Sequence, residues 1–499
     1  MNADTTLVAA FDRLWREADR AQRPALVSAT VMLTYAQLHG RTRAMAEALR
    51  QAGVAAGDYV AIAMERSVDQ MVVILGAMMC GACPCPLEPR IAVEETARRV
   101  AAVGLRWLVH DAAHLALGDG CGLAPEAVLD HAVLVGNRDG AAFEVPRLAP
   151  DAPALLLFTS GSTGHPKGVL LSHQGVFNNA TGVAAHTGLA PQDRLLHVMP
   201  LHHTNALNNQ LFAPLWVGSC VALAGRFRAE DMPELLESFK PTLLTGVPTM
   251  YARMAELPFS AASLGRLRFA RCGSAPITER LHRQIEDFLG CPLIVSYGLS
   301  EATCTSTLNP PHARRVGSVG TVLPNQTVVL MLPDGTLAPT GAEGEICIAG
   351  DSLMLTYLGA GSAAGIQADG YLHTGDLGRF DTDGYLYITG RIKDVIIRGG
   401  ENISPSLIEA AVVEMPGVAS CCVVGAADDD LGEVPVVFVV PSGTECPDLV
   451  AIRAFVLARL GRIYVPAASY VVDRLPENAV GKIDRKALAA RVRAPGAMA

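Results

Sequence analysis

From Tyr35 to near Leu299, stretches with helical spacing of apolar residues alternate with short, β-branched apolar runs. Residues 59–63, 155–159, 195–199 and 243–246 are such runs. Helices interleaved with apolar strands predict parallel sheets covered on both faces. Ahead of them, Phe11, Leu14, Trp15 and Ala18 follow helical spacing and predict an amphipathic surface helix. The most apolar run, residues 71–87, approaches the length of a membrane span. Gly76, Gly81, Pro84 and Pro86 interrupt it, so it reads as a buried helix followed by a strand.

After about Val316 the texture changes. Residues 328–331, 344–349 and 385–389 read as antiparallel strands divided by turns such as Pro333-Asp334-Gly335. From Arg391 a compact segment begins: strand, helix (406–415), strand (419–424), strand (434–440), helix (447–460). The predicted architecture is α/β. A large N-terminal domain, residues 1–390, combines helix-flanked parallel sheets with a distorted antiparallel β subdomain, and a small α+β domain follows at 391–499.

Composition narrows the chemistry. The 499 residues are half hydrophobic and 18% charged, enough to bury a core without disulfide or metal staples. A net charge of −9 argues against a large nucleic-acid surface. The N-terminus is too charged for a signal peptide, and the ending APGAMA carries no peroxisomal or lipidation signal. Twelve cysteines are scattered along the chain and read as reduced thiols of a cytoplasmic protein that needs no membrane. Cys80 and Cys83 form a CxxC, but no second pair with zinc-site spacing follows.

Candidate chemistry starts where the run 155–159 ends. Residues 159–168 read Thr159-Ser160-Gly161-Ser162-Thr163-Gly164-His165-Pro166-Lys167-Gly168. Three glycines let backbone approach a phosphate, four hydroxyls add donors, and Lys167 adds a positive charge. The GK[ST] ending of a Walker A loop is absent.

The stretch TSGSTGHPKG resembles the signature loop of the adenylate-forming superfamily: acyl-CoA synthetases, adenylation domains of nonribosomal peptide synthesis, and luciferases. Further motifs follow in family order across nearly the whole chain. They are Pro200-Leu201-His202-His203, Gly273-Ser274-Ala275-Pro276, Tyr297-Gly298-Leu299-Ser300-Glu301 and Tyr371-Leu372-His373-Thr374-Gly375-Asp376. Then come Gly390-Arg391-Ile392-Lys393-Asp394, Gly399-Gly400-Glu401-Asn402 and Gly481-Lys482-Ile483-Asp484-Arg485. The resemblance implies ATP, Mg2+ and coenzyme A as cofactors, and conversion of a carboxylate to its adenylate and then to a thioester. Two anions meet in the first step, so positive charge must be placed on the transition state.

The resemblance assigns that charge to Lys482 and Mg2+ ligation to Glu301. Ser300 stands where the family usually has threonine. It implies that Tyr297 packs against adenine beside the backbone of Gly273, Ser274 and Ala275, and that Asp376 and Arg391 hold the ribose hydroxyls. His203 falls where the family gates the space between acyl pocket and pantetheine channel. Lys393 marks a hinge about which the small domain rotates, exchanging Lys482 for a face that includes Gly399 and Gly400.

Coenzyme A is the expected acceptor. RGGENISP is similar to acyl-CoA synthetases, and no carrier segment follows residue 499. An acyl carrier protein or another nucleophile is the alternative, with the enzyme a monomer or homodimer. A catalytically silent sensor and an oxidative decarboxylase of the luciferase kind are the other readings. The first is disfavoured because Lys482, Glu301 and Asp376 are all present. The acyl pocket is expected from residues 203–209, 246–251 and 298–305. Asn205, Asn208 and Asn209 either line it, favouring a polar acid, or cap a helix and face solvent. Aliphatic, aryl and functionalised acids all remain open.

Overall fold

The computed structural model describes residues 6–135, 143–159, 167–359, 365–443, 447–477 and 483–493. Helix α1, Leu7–Leu14, buries Leu7, Val8, Ala10, Phe11 and Leu14. Trp15 follows it, fully buried and stacked on Phe11 at 4.4 Å, so the expected surface helix is sunk into the core. Ala18 lies in a separate short helix.

Strands β1 (Pro24–Val27) and β2 (Met32–Thr34) precede α2 (Tyr35–Ala52). Thr34 and Gln37 form a reciprocal capping box, and Gly53 ends the helix at φ 105°. Strand β3 (Tyr59–Ala63) leads to α3 (Val68–Met79) and β4 (Cys83–Pro86), which together account for the run 71–87. With β5 (Trp107–His110) and β6 (Val128–Asp130) they give a parallel sheet ordered β4-β3-β5-β6. Among the described residues no helix is long and apolar enough to cross a membrane.

Strands β7 (Pro153–Thr159) and β8 (Lys167–Ser172) pair antiparallel. The strand entering the glycine-rich loop is therefore half of a hairpin, where the apolar pattern predicted a parallel neighbour. Helix α4 (His173–Thr187) is capped by Ser172, whose Oγ accepts from Gly175 N at 2.9 Å. Then come β9 (Arg194–His197), β10 (Cys220–Leu223), β11 (Leu243–Gly246), β12 (Phe269–Cys272), β13 (Leu293–Tyr297), β14 (Thr307–Leu308) and β15 (Thr321–Val322). The resulting nine-stranded sheet runs β15-β14-β13-β12-β11-β9-β10-β1-β2 and is parallel from β13 to β1. Alternate residues face two cores. Leu195, Leu243, Phe269 and Ile294 join one with α4, and Leu196, Leu244, Ala270 and Leu293 join the other. This period of two is the expected signature of a strand buried on both faces.

The chain divides into two compact units. The first comprises Met1–Ile277, Leu281–Val328 and Ile348–His373; the second comprises Thr278–Arg280, Val329–Cys347 and Thr374–Ala499. Strands β16 (Thr327–Met331), β17 (Gly344–Ala349), β18 (Thr356–Gly359), β19 (Leu372–Phe380) and β20 (Leu386–Arg391) follow in sequence. Of these, β18 returns to β8, antiparallel, in the first unit. The others form a four-stranded sheet, β16-β17-β19-β20, the antiparallel subdomain expected after Val316. The second unit closes with β21 (Ile396–Arg398), β22 (Glu401–Ile403), α5 (Pro405–Val413), β23 (Val418–Asp428), β24 (Gly432–Pro441), α6 (Leu449–Leu460) and β25 (Ala468–Val471). Its sheet is β22-β21-β24-β23 with β25 beside β24.

Candidate active site

Hairpin register places Thr159 opposite Lys167, so both ends of the glycine-rich loop are fixed by β7 and β8. Ser160, Gly161, Ser162, Thr163 and Gly164 lie outside the described residues. Strand β18 pairs with β8, with Gly359 opposite Lys167. This brings the Tyr357 ring within 5.5 Å of Lys167 Nζ, a cation–π distance. The Tyr357 hydroxyl donates to Glu301 Oε1 at 2.8 Å. Burial, then the neighbouring Glu301 carboxylate, push the phenol up, so it remains a proton donor. Glu301 is held from the other side as well, its carbonyl accepting from Met354 N at 2.8 Å. The motifs at 159–168 and 297–301 thus meet through a tyrosine that belongs to neither.

Ligands of parallel α/β sheets bind beyond the carboxyl ends of the strands. Here β12 runs into Gly273, Ser274 and Ala275, and β13 runs into Tyr297 and Gly298. A Cβ on Gly298 would stand 1.8 Å from the Cys304 carbonyl oxygen, so only glycine lets the chain fold back here. The turn is tight: Ala302 N and Cys304 N both donate to Leu299 O, at 3.1 and 3.0 Å. Ser274, Thr303 and Cys304 take positive φ without being glycine, the kind of strain that collects at functional sites.

Opposite this turn lies a π-helix, Asn205–Phe212. Wide turns of this type recur at functional sites. Thr204 Oγ1 and Ser300 Oγ approach to 3.3 Å. Asn208 Nδ2 donates to Thr303 O at 2.7 Å, and Asn209 Nδ2 to Asn205 Oδ1 at 2.8 Å and Thr305 Oγ1 at 3.2 Å. Asn208 and Asn209 are buried, which settles one open choice: they do not face solvent. His203 precedes this helix, its ring 4.3 Å from that of His202. Burial, the adjacent His203 and Arg99 depress His202 to about 3. Below them His197 is fully buried, with Arg66 Nη2 at 2.6 Å from Nδ1, and burial depresses Arg66 to about 9.

In the second unit, Asp376 and Arg391 are register partners on β19 and β20 and form an ion pair. Lys393 is exposed in the short turn Ile392–Asp394 directly after β20. Gly399 and Gly400 turn β21 into β22, at φ 59° and 87°. Lys482 lies outside the described residues, but the flanks of its segment are placed. Glu477 bridges Ile483, and Asp484 N donates to Pro476 O at 2.8 Å. Arg485 secures that base through Glu409 at 2.7 Å and the Val423 carbonyl at 2.7 Å. Burial opposes its charge, and the Glu409 carboxylate outweighs that, leaving the guanidinium more basic than usual.

A family model described as AMP-binding enzyme matches residues 14–358, and one for the AMP-binding enzyme C-terminal domain matches 407–482. The chain belongs to the AMP-binding enzyme family. Its curated relatives include a feruloyl-CoA synthase of Amycolatopsis, 36% identical over 90% of this chain and 92% of that protein. A sulfoacetate–CoA ligase of Cupriavidus necator is 34% identical over 94% and 95%. Among solved structures, ATP-bound MatB from Rhodopseudomonas palustris superposes with a TM-score of 0.89, at 28% identity over 97% and 98% of the two chains. This AMP-binding enzyme is an acid–thiol ligase. With ATP, Mg2+ and coenzyme A it converts a carboxylic acid to its acyl adenylate, releasing pyrophosphate, and then to a thioester.

Proposed function

We propose that the triphosphate sits on the hairpin loop 160–166, above the chain of contacts Lys167–Tyr357–Glu301, and that the acid lies between the π-helix and the turn 299–305. The hydrogen-bonded Tyr357–Glu301 pair is the observation that carries this reading. Glu301 Oε1 is committed to the tyrosine, while no bond engages Oε2 among the described residues. A free hard oxygen suits Mg2+, which when bound neutralises phosphate charge. Tyr297, with the backbone of Gly273, Ser274 and Ala275, borders the adenine, and the Ser300 hydroxyl reaches phosphate. His203 stands between acyl pocket and thiol entry.

The domains alternate about Lys393, in the division 1–390 and 391–499. Lys482 supplies charge for adenylation, and the Gly399–Gly400 turn lets the pantetheine arm approach in the second step. Asp376 and Arg391, already paired, hold the ribose. Coenzyme A rather than an acyl carrier protein is the acceptor, and the enzyme works in the cytoplasm as a monomer or homodimer. All eleven cysteines among the described residues are free thiols, as a reducing compartment requires.

The test is pyrophosphate release over a panel of carboxylic acids, with and without coenzyme A, for the native enzyme and Glu301→Gln. Acid-dependent release that Glu301→Gln lowers by about a hundredfold or more supports the assignment. Undiminished release by the variant overturns it.

A further inference from the structure

Strand β12 is four residues long, Phe269-Ala270-Arg271-Cys272, and all four are buried. Its charged member shares a face with Phe269, the face that packs on α4. Arg271 is 4% exposed. Its Nη2 donates to Thr305 Oγ1 at 2.6 Å. Among the described residues no carboxylate pairs with it. The groups that favour its charge are the Cys304 thiol and the Tyr251 phenol. Burial pushes both of these up, so both are neutral. Burial likewise depresses the guanidinium, to about 10, which still leaves it charged at neutral pH.

A buried charge without a counter-ion is costly, and folds retain one only where something offsets it. The surroundings are neutral polar groups: Asn209 Nδ2 reaches both Cys304 Sγ, at 2.9 Å, and Thr305 Oγ1. Asn179 Nδ2 donates to Thr305 O at 2.7 Å. A buried cation with no carboxylate partner among the described residues, set among neutral polar groups, is a place to receive an anion. Its place relative to the reaction follows from the chain. The π-helix and the turn run side by side from Thr204–Ser300, through Asn208–Thr303, to Asn209–Thr305. Glu301 marks one end of this seam and Arg271 the other.

We infer that Arg271 binds a second anionic group on the acid, so that the enzyme's substrate is a small dianion whose far end is a carboxylate or a sulfonate. The inference rests on the acyl-pocket reading above. Five residues from Ser300 to Thr305 reach at most about 17 Å when extended, and the turn shortens that span. Long fatty chains do not fit between ends so close.

The experiment compares kcat/KM for pyrophosphate release across matched pairs: short dicarboxylates and sulfonated acids, each beside an isostere with an uncharged end. The native enzyme is expected to favour the dianion by roughly a hundredfold. Arg271→Met should abolish that preference, mainly through KM, while raising the melting temperature because a buried unpaired charge is gone. Arg271→Lys should keep part of the preference. Dicarboxylate and sulfonate arms distinguish the two end groups. If the native enzyme favours the uncharged-end acids, or if Arg271→Met leaves the ratio unchanged, the inference is wrong. That outcome leaves the ligase reading intact, because release with any acid supports it. Should Arg271→Met not fold, the native ratio and Arg271→Lys decide.

Discussion

Tyr357 touches two groups from different motifs, and each contact makes its own demand. Its ring faces Lys167 and its hydroxyl holds Glu301. Tyr357→Phe keeps the ring and drops the hydroxyl. A carboxylate that loses its orienting donor binds metal more weakly, by about ten- to a hundredfold. The expected result is a rise of that size in the Mg2+ concentration needed for half-maximal pyrophosphate release, with little change in melting temperature. An unchanged Mg2+ requirement would mean that Glu301 needs no support. A second residue-level prediction concerns His173, fully buried at the start of α4 with neither ring nitrogen partnered among the described residues. Burial depresses it to about 4. Between pH 6.5 and 4 the unfolded chain binds a proton here that the folded chain refuses. Its stability contribution is therefore full above 6.5 and falls by up to about 3 kcal/mol as pH drops to 4. Denaturant unfolding across that window should show a shallower decline for His173→Gln than for the native enzyme.

At the level of elements, two glycines of opposite character test the turn that faces the π-helix. Gly298 has no room for a Cβ, whereas Gly40, exposed in the middle of α2, meets nothing within 4 Å. Gly298→Ala must displace backbone, and about 1–3 kcal/mol of stability and most of the adenylation activity should go with it. Gly40→Ala should instead stabilise by about 0.5–1 kcal/mol and leave activity alone. Chemical denaturation of both variants reads the difference. Gly298 was legible beforehand only as part of a motif; the reason for it, the Cys304 carbonyl, needs the folded turn. The same contrast runs through the site. The helices of the small unit and strands β11 and β13 follow from periodicity, because a buried face leaves a trace at period two or 3.6. The antiparallel partner of β7 left none, since an apolar run reads alike beside a parallel or antiparallel neighbour. Tyr357 was equally silent: only the pairing of β18 with β8 brings it to Glu301. Arg271 did carry a signal, a single charge inside an otherwise apolar strand, but that signal acquires meaning only once burial without a carboxylate is seen.

At the level of the whole molecule, the proposed mechanism makes two chemical steps compete for one space. Adenylation needs a cation where two anions meet, and thioester formation needs that space vacated for a thiol. A lysine on a segment with a fixed base satisfies the first demand if the entire base can move. Between Glu477 and Ile483 the chain is pinched shut, and Arg485 ties the pinch to Glu409 on α5 and to β23. Under the proposed alternation, a lysine next to so fixed a base would be carried with the small domain, and the turn at Lys393 would supply the motion. Lys482→Ala should lower acid-dependent exchange of pyrophosphate into ATP by about a hundred- to a thousandfold. Thioester formation from supplied acyl adenylate should be largely unchanged. Lys393→Pro, which fixes φ near about −65° at the turn, should do the reverse and slow the second step more than the first. Measured side by side on both half-reactions, the two variants must separate; parallel losses in both steps would mean that one static arrangement of the lobes performs all of the chemistry.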